Sequence, residues 1–239
     1  WGINSRPETL KLTVRKVVFI FSSMPLTAAV KVIRIPYRTP EQIINGVLVK
    51  KEVVASFDDE IEANVRANAA LDLKWLGAVE PHDGIAIMVG GGASVADHLD
   101  DIRALVAQGG TVFAINAASK FLHENGVAVD WQVTCDAKAE TASLIDPRAR
   151  GHLFASHVSP ATMASVPAPV VWHSALHVKE DWFPPAKVKR GGYALLGGEA
   201  SSGLGALCAA YCLGFRRLEI FGYDSSHRGD KSHAYSQPM

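Results

Sequence analysis

The chain has 239 residues, 48% hydrophobic and 20% charged, with a formal net charge of zero. That composition supplies a sizeable core and sets aside both intrinsic disorder and a globally basic nucleic-acid binder. The charge is uneven: residues 1–56 carry nine Lys/Arg against three Asp/Glu, and residues 57–239 carry fifteen against twenty-one.

Residues 1–56 read as an N-terminal accessory segment, with a strand expected at Val17–Phe21. Lys11, Arg15 and Lys16 before the apolar stretch 17–30 resemble the start of a signal peptide. Ser22, Ser23 and Pro25 break that stretch, no small-residue cleavage site follows, and it is too short to span a bilayer. From Phe57 the pattern turns helical. Asp58, Asp59, Glu60 and Glu62 crowd a helix start, and Ile61, Val65, Ala69, Leu73 and Leu76 predict a helix to about Leu76. Strands are then expected at 85–89, 111–116, 131–135, 152–156, 170–173 and 217–221. Helices are expected at 95–108, 117–125, 138–145, 160–165 and 203–213, three of them closed by Gly109, Gly126 and Gly214. This alternation predicts an α/β fold, a Rossmann-like doubly wound, mostly parallel sheet over residues 57–239 with an N-terminal helical or accessory segment. The long connection 174–202 is a place to look for function. Cys135, Cys208 and Cys212 form no C-x-x-C and suit a reducing, cytoplasmic compartment; Cys208 and Cys212, four apart, read as core. Beginning at Trp1 and stopping at Met239 soon after a polar loop, the sequence reads as a piece at both ends.

The stretch Ile85–Val89, Gly90-Gly91-Gly92, Ala93, Ser94 reads as strand, tight turn and helix start. Ser94 with Asp97 forms an S-x-x-D capping box, and the three glycine amides are expected to serve a phosphate or other anion. No lysine follows Gly92, so this is no P-loop. Val95 stands where a dinucleotide fingerprint has a small residue, and the second strand ends in Asn116 where that fingerprint has an acid. Ligands of such sheets gather beyond the strand C-termini, where Asn116, Asp136, His157, His173 and Gly222-Tyr223-Asp224 fall. Ser201 or Ser202 caps the helix at 203–213, aiming a second N-terminus at that rim. The polar loop after Asp224 carries Arg228 and Lys231, suited to a phosphate or sugar acid, while Asp224 suits a ribose or magnesium.

In order, Gly90-Gly-Gly-Ala-Ser-Val95, Val112-Phe-Ala-Ile-Asn116, Asp130-Trp-Gln-Val-Thr-Cys-Asp136, Ser201-Ser-Gly203 and Leu213–Asp224 resemble a known family over roughly 57–239. It is the 6-hydroxymethylpterin diphosphokinase MptE-like family, similar to motility-accessory-factor glycosyltransferases and bacterial family-42 sialyltransferases. The resemblance implies a nucleotide-dependent transferase, in the pterin branch moving diphosphate from ATP to a hydroxymethyl acceptor with magnesium. Asp136 and Asp224 would then be the catalytic or magnesium-binding carboxylates. The sialyltransferase branch implies a CMP-sugar and a glycan acceptor, with the turn (Gly90, Gly91, Gly92, Ser94), Asn116, Ser201, Ser202, Gly203 and Gly222, Tyr223, Asp224 around nucleotide and sugar. His233 falls near a position where that branch has a Tyr beside the phosphate. Ala93 replaces the family's usual Pro, and Gly91 replaces an Asn that contacts CMP in the sialyltransferases. Those departures also admit a non-catalytic nucleotide-binding module.

Overall fold

The computed structural model describes residues 58–174, 201–224 and 233–235, together with short strands at 10–14, 17–21, 42–44, 47–49 and 195–196. Two N-terminal pairs, β1 (Leu10–Val14) with β2 (Val17–Phe21) and β3 (Gln42–Ile44) with β4 (Val47–Val49), are antiparallel. The main domain runs α1 (Asp58–Ala69), β5 (Lys74–Trp75), β6 (His82–Val89), α2 (Leu99–Ala107), β7 (Thr111–Ile115), α3 (Ala118–Glu124) and β8 (Trp131–Thr134). It continues with β9 (Gly151–Ala155), α4 (Pro160–Met163), β10 (Val170–Ser174), β11 (Leu195–Leu196), α5 (Ser202–Cys212) and β12 (Phe215–Phe221).

Seven strands run parallel in the order β11-β10-β9-β8-β7-β6-β12; β5 pairs parallel with β10, and β1 lies on the far side of β12. From β6 to β10 each strand is laid beside the last. The chain then returns through α5 to put β12 on the other side of β6. The pair β6 and β12 is therefore the point where connections leave in opposite directions, the usual ligand crevice of such sheets. Both faces are covered, as a parallel sheet demands. Ala86, Met88, Phe113, Ile115 and Val133 pack with Ala206, Ala209 and Ala210 of α5. The alternate residues Ile87, Val89, Val112 and Ala114 pack with Ile102 of α2 and with Ala118 and Leu122 of α3. Small residues on α5 let it lie close to the sheet, and its ring of apolar side chains leaves no polar stripe between it and the strands. Among the described residues, no helix is long and apolar enough to cross a membrane.

Several boundaries differ from expectation for local reasons. The first helix stops at Ala69, well before Leu76. Asn68 is fully buried with its amide on the carbonyls of Ser156 and Val158, and the chain then turns out so that Lys74 and Trp75 pair with Val170 and Val171. Leu73 and Leu76 belong to the sheet core and meet the helical spacing only by coincidence. The helix expected at 95–108 begins as a 3-10 turn at Ala93–His98 before α2, and that expected at 138–145 is a 3-10 turn at Ala139–Leu144. Gly109, Gly126 and Gly214 close helices with positive φ as expected.

Candidate functional site

The glycine turn is built around β12. Gly90 N donates to Phe221 O and Gly92 N to Gly222 O, both at 2.8 Å, so the turn continues the β6–β12 ladder past the strand ends. Gly222 has φ +66°, and a Cβ there would lie 2.7 Å from the Gly90 carbonyl oxygen. A Cβ on Gly92 would sit 2.6 Å from the Asp224 carboxylate. These glycines allow two strand ends to touch. Among the described residues the Gly91 N–H alone of the three has no acceptor, which corrects the expectation that three amides cradle an anion.

Ser94 does not cap the helix after the turn. The N-cap position is Gly92, with no side-chain cap of its own. The cap comes from Asp224, three residues past the end of β12: one carboxylate oxygen accepts from Ser94 N at 2.8 Å and the other from Ser94 Oγ at 2.5 Å. A carboxylate at a helix start is the favourable sign. Behind it, the Tyr223 hydroxyl donates to Gly203 O at 3.3 Å, and burial pushes that phenol well above its ordinary value. His233 bridges Gly92, Ala234 N donates to Gly91 O at 3.1 Å, and the Tyr235 ring lies 5.7 Å from that of Phe121, so 233–235 folds back over the turn. Arg228 and Lys231 lie outside the described residues.

The neighbouring rim is made by β7, β8 and α5. Asn116 directly follows β7 in the left-handed region, φ +50°, which Asn tolerates better than most side chains. Its Oδ1 accepts from Thr134 Oγ1 at 3.1 Å. Ser201 caps α5, its Oγ accepting from Leu204 N at 3.3 Å, as expected. Ser202 Oγ meets Cys135 Sγ at 3.0 Å, which draws the end of β8 against the start of α5. The Ser202 and Gly203 amides stand in the first turn, where helix N–H groups lack an intrahelical acceptor. Asp136 follows β8; one oxygen accepts from Lys138 N at 3.0 Å, and the other has no donor among the described residues.

Asp136 and Asp224 are not brought together. Two strands separate β8 from β12, so the residues start about 14 Å apart at ordinary strand spacing. Among the described residues, no group of three or more His, Cys, Asp and Glu side chains is arranged to hold a metal ion. Magnesium that rides on nucleotide phosphates needs only one or two protein carboxylates. Asp136 fits that role with its open oxygen; Asp224, committed to Ser94 through both oxygens, does not.

His173 turns inward: its Nδ1 and Ser156 Oγ are 2.6 Å apart, and both residues are 1% exposed. His157 is buried as well, and its carbonyl accepts from Asn64. Asn64 and Asn68, one turn apart on α1, each donate to two carbonyls at the ends of β8 and β9. They clamp the rim in place. Two asparagines inside the apolar face of a helix were the available signal for them. Beneath the rim sits a polar network centred on Asp146, 1% exposed. Arg148 Nε and Nη2 reach its carboxylate at 2.8 and 2.9 Å and His123 Nδ1 at 2.8 Å. Its amide donates to Gln132 Oε1 at 2.8 Å, and its carbonyl accepts from His152 Nε2 at 3.0 Å. Burial raises the carboxyl, but the Arg148 and His123 hydrogen bonds and the Arg148 charge outweigh it and bring it down to about 2.

A family model described as 6-hydroxymethylpterin diphosphokinase MptE-like matches residues 63–230. Among solved structures, the MAf glycosyltransferase from Magnetospirillum magneticum AMB-1 is similar with a TM-score of 0.57 and 21% identity, over 74% of this chain and 29% of that one. That likeness is one of fold, and this chain spans less than a third of the glycosyltransferase's length. No curated protein matches the chain. With the family model spanning well over half the sequence, the ordered turn, Asn116, Asp136 and closing segment have their explanation: the chain belongs to the 6-hydroxymethylpterin diphosphokinase MptE-like family.

Proposed function

We propose that this domain is a nucleotide-dependent transferase of the diphosphokinase type, moving diphosphate from ATP to a hydroxymethyl acceptor. The observation that carries the reading is the meeting of the α5 N-terminus with the ends of β7 and β8, tied by the Cys135–Ser202 contact. In this reading the phosphates lie at the Ser202 and Gly203 amides, where the helix start favours anions, with Asn116 beside them. The acceptor hydroxyl oxygen forms a bond to the β-phosphorus, the bond from that phosphorus to the α-phosphate oxygen breaks, AMP leaves, and the hydroxyl proton is released. Such transfers depend on positioning and charge neutralisation. Magnesium, when bound, supplies part of that neutralisation, and Asp136 is the side chain that would hold it. Asp224 acts through Ser94, by fixing the turn that walls the crevice.

The second reading is a CMP-sugar-dependent, sialyltransferase-like enzyme with a glycan acceptor, favoured by the fold likeness to a glycosyltransferase. Calorimetry with ATP, GTP, CTP and CMP, with and without magnesium, separates the two. Magnesium-dependent ATP binding supports the first; CMP binding that Asn116→Ala weakens supports the second. Binding with no transfer to any acceptor marks a non-catalytic module, and no binding at all refutes all three.

A further inference from the structure

Asn116 is held from two sides by residues buried under it. Its backbone carbonyl accepts from Gln132 Nε2 at 2.8 Å, and its side-chain Oδ1 accepts from Thr134 Oγ1 at 3.1 Å. Gln132 and Thr134 are both completely buried, on the same side of β8, in a strand whose other neighbours are apolar. Gln132 spends everything it has here: Nε2 also reaches Leu144 O at 2.9 Å, and Oε1 accepts from Asp146 N at 2.8 Å. An amide and a hydroxyl buried in a parallel strand need a use, since each unmet polar group costs stability. Their shared use is to fix the main chain and the carboxamide of the residue that follows β7.

With Oδ1 and the main-chain oxygen both taken, what Asn116 retains is Nδ2. That group has no acceptor among the described residues, and it is not among the buried unsatisfied atoms. It is a pure hydrogen-bond donor on the rim. We propose that Thr134 and Gln132 are positioning residues that make Asn116 a donor-only reader, so that the nucleotide presents a hydrogen-bond acceptor to it. This rests on the nucleotide reading above and sharpens it. An acid at the end of this strand, as in dinucleotide folds, accepts from ribose hydroxyls; a carboxamide held this way does the reverse.

The test uses the whole chain and whichever of ATP, GTP, CTP and CMP binds it in calorimetry. Thr134→Val removes the hydroxyl at nearly constant volume and is expected to weaken binding about tenfold, the worth of one well-placed hydrogen bond. Thr134→Ser keeps the hydroxyl and is expected to restore binding to within about threefold of the wild type, by the same reckoning. That rescue is what a threonine acting only by filling space would not show. Asn116→Asp sets an acceptor against an acceptor and is expected to bind more weakly than Asn116→Ala. Comparing each nucleotide with its nucleoside tells a phosphate acceptor from a base acceptor, and both bear the inference out. If Asn116→Ala weakens binding while Thr134→Val does not, or if Asn116→Asp binds as well as the wild type, this inference is overturned and the functional reading stands. If the wild type binds none of the four, the functional reading falls and takes the acceptor assignment with it.

Discussion

Asp146 makes the most quantitative stability prediction. Its carboxylate is buried yet charged, because Arg148 and His123 place hydrogen bonds on both oxygens. In the unfolded chain the carboxyl titrates near 3.8; in the fold it is brought down to about 2. Each pH unit of that difference is worth about 1.4 kcal/mol, so the charged form contributes roughly 2 kcal/mol to folding. The sign follows from the lowered value: the contribution is complete above pH 3.8 and is lost as the pH falls through about 2. Asp146→Asn keeps the shape and removes the charge. Arg148 has a side chain 52% exposed and turns to water, so the substitution strands no buried arginine. Urea denaturation at pH 7 is expected to show the variant about 2 kcal/mol less stable, with the gap closing between pH 4 and pH 2. Equal stabilities at pH 7, or a gap that persists undiminished at pH 2, would refute the reasoning. The side chains that hydrogen-bond the carboxylate are Arg148 and His123, while His152 meets the Asp146 backbone carbonyl.

Other predictions bear on the turn and on the same network. Gly222→Ala forces a side chain into a left-handed position 2.7 Å from the Gly90 carbonyl oxygen, and is expected to cost at least about 1–2 kcal/mol in thermal or urea unfolding. Asp224→Ala is expected to cost about 1 kcal/mol as a lost cap, and a double-mutant cycle with Ser94→Ala should show that the two losses do not add. Burial holds the His152 imidazole below its ordinary value of 6.5, so the unfolded chain takes up its proton first. Stability is therefore expected to decline as the pH falls below 6.5, and His152→Gln should remove part of that slope.

The sheet was legible because its strands are apolar runs separated by glycine-closed helices, and the described strand cores fall where those runs do. What the periodicity could not give was the partner of each apolar residue. Leu73 and Leu76 continue the spacing of Ile61, Val65 and Ala69, yet they pack into the sheet core through β5. The decisive feature is Asn68, whose amide ends the helical stripe by taking two carbonyls from β9's end. Ser94 shows the same limit in the site. Its capping pattern with Asp97 is local, but a carboxylate 130 residues away, just past the end of β12, supplies the cap instead. Asn64, Gln132 and Thr134 each look like an isolated polar residue in the sequence, and only the fold shows the carbonyls and the carboxamide that they hold.

The glycine turn shows why a motif's residue types and its chemistry are separate questions. Glycines after a strand are required whenever another backbone passes close, whether that backbone is a ligand's neighbour or a second strand. Here the second strand is β12, and two of the three amides are spent on its carbonyls. A phosphate that needs several backbone donors must look elsewhere on the rim, and among the described residues the first turn of α5 offers such donors. The turn still matters to that crevice, because β6 and β12 are its wall and Asp224, through Ser94, sets the angle at which the chain leaves. Weakening of nucleotide binding by Gly203→Val, which crowds the α5 amides and the Tyr223 ring, would therefore exceed that by Gly91→Ala, which alters the one remaining turn amide. The opposite order, measured by calorimetry on variants with unchanged secondary structure, would return the anion to the glycine turn.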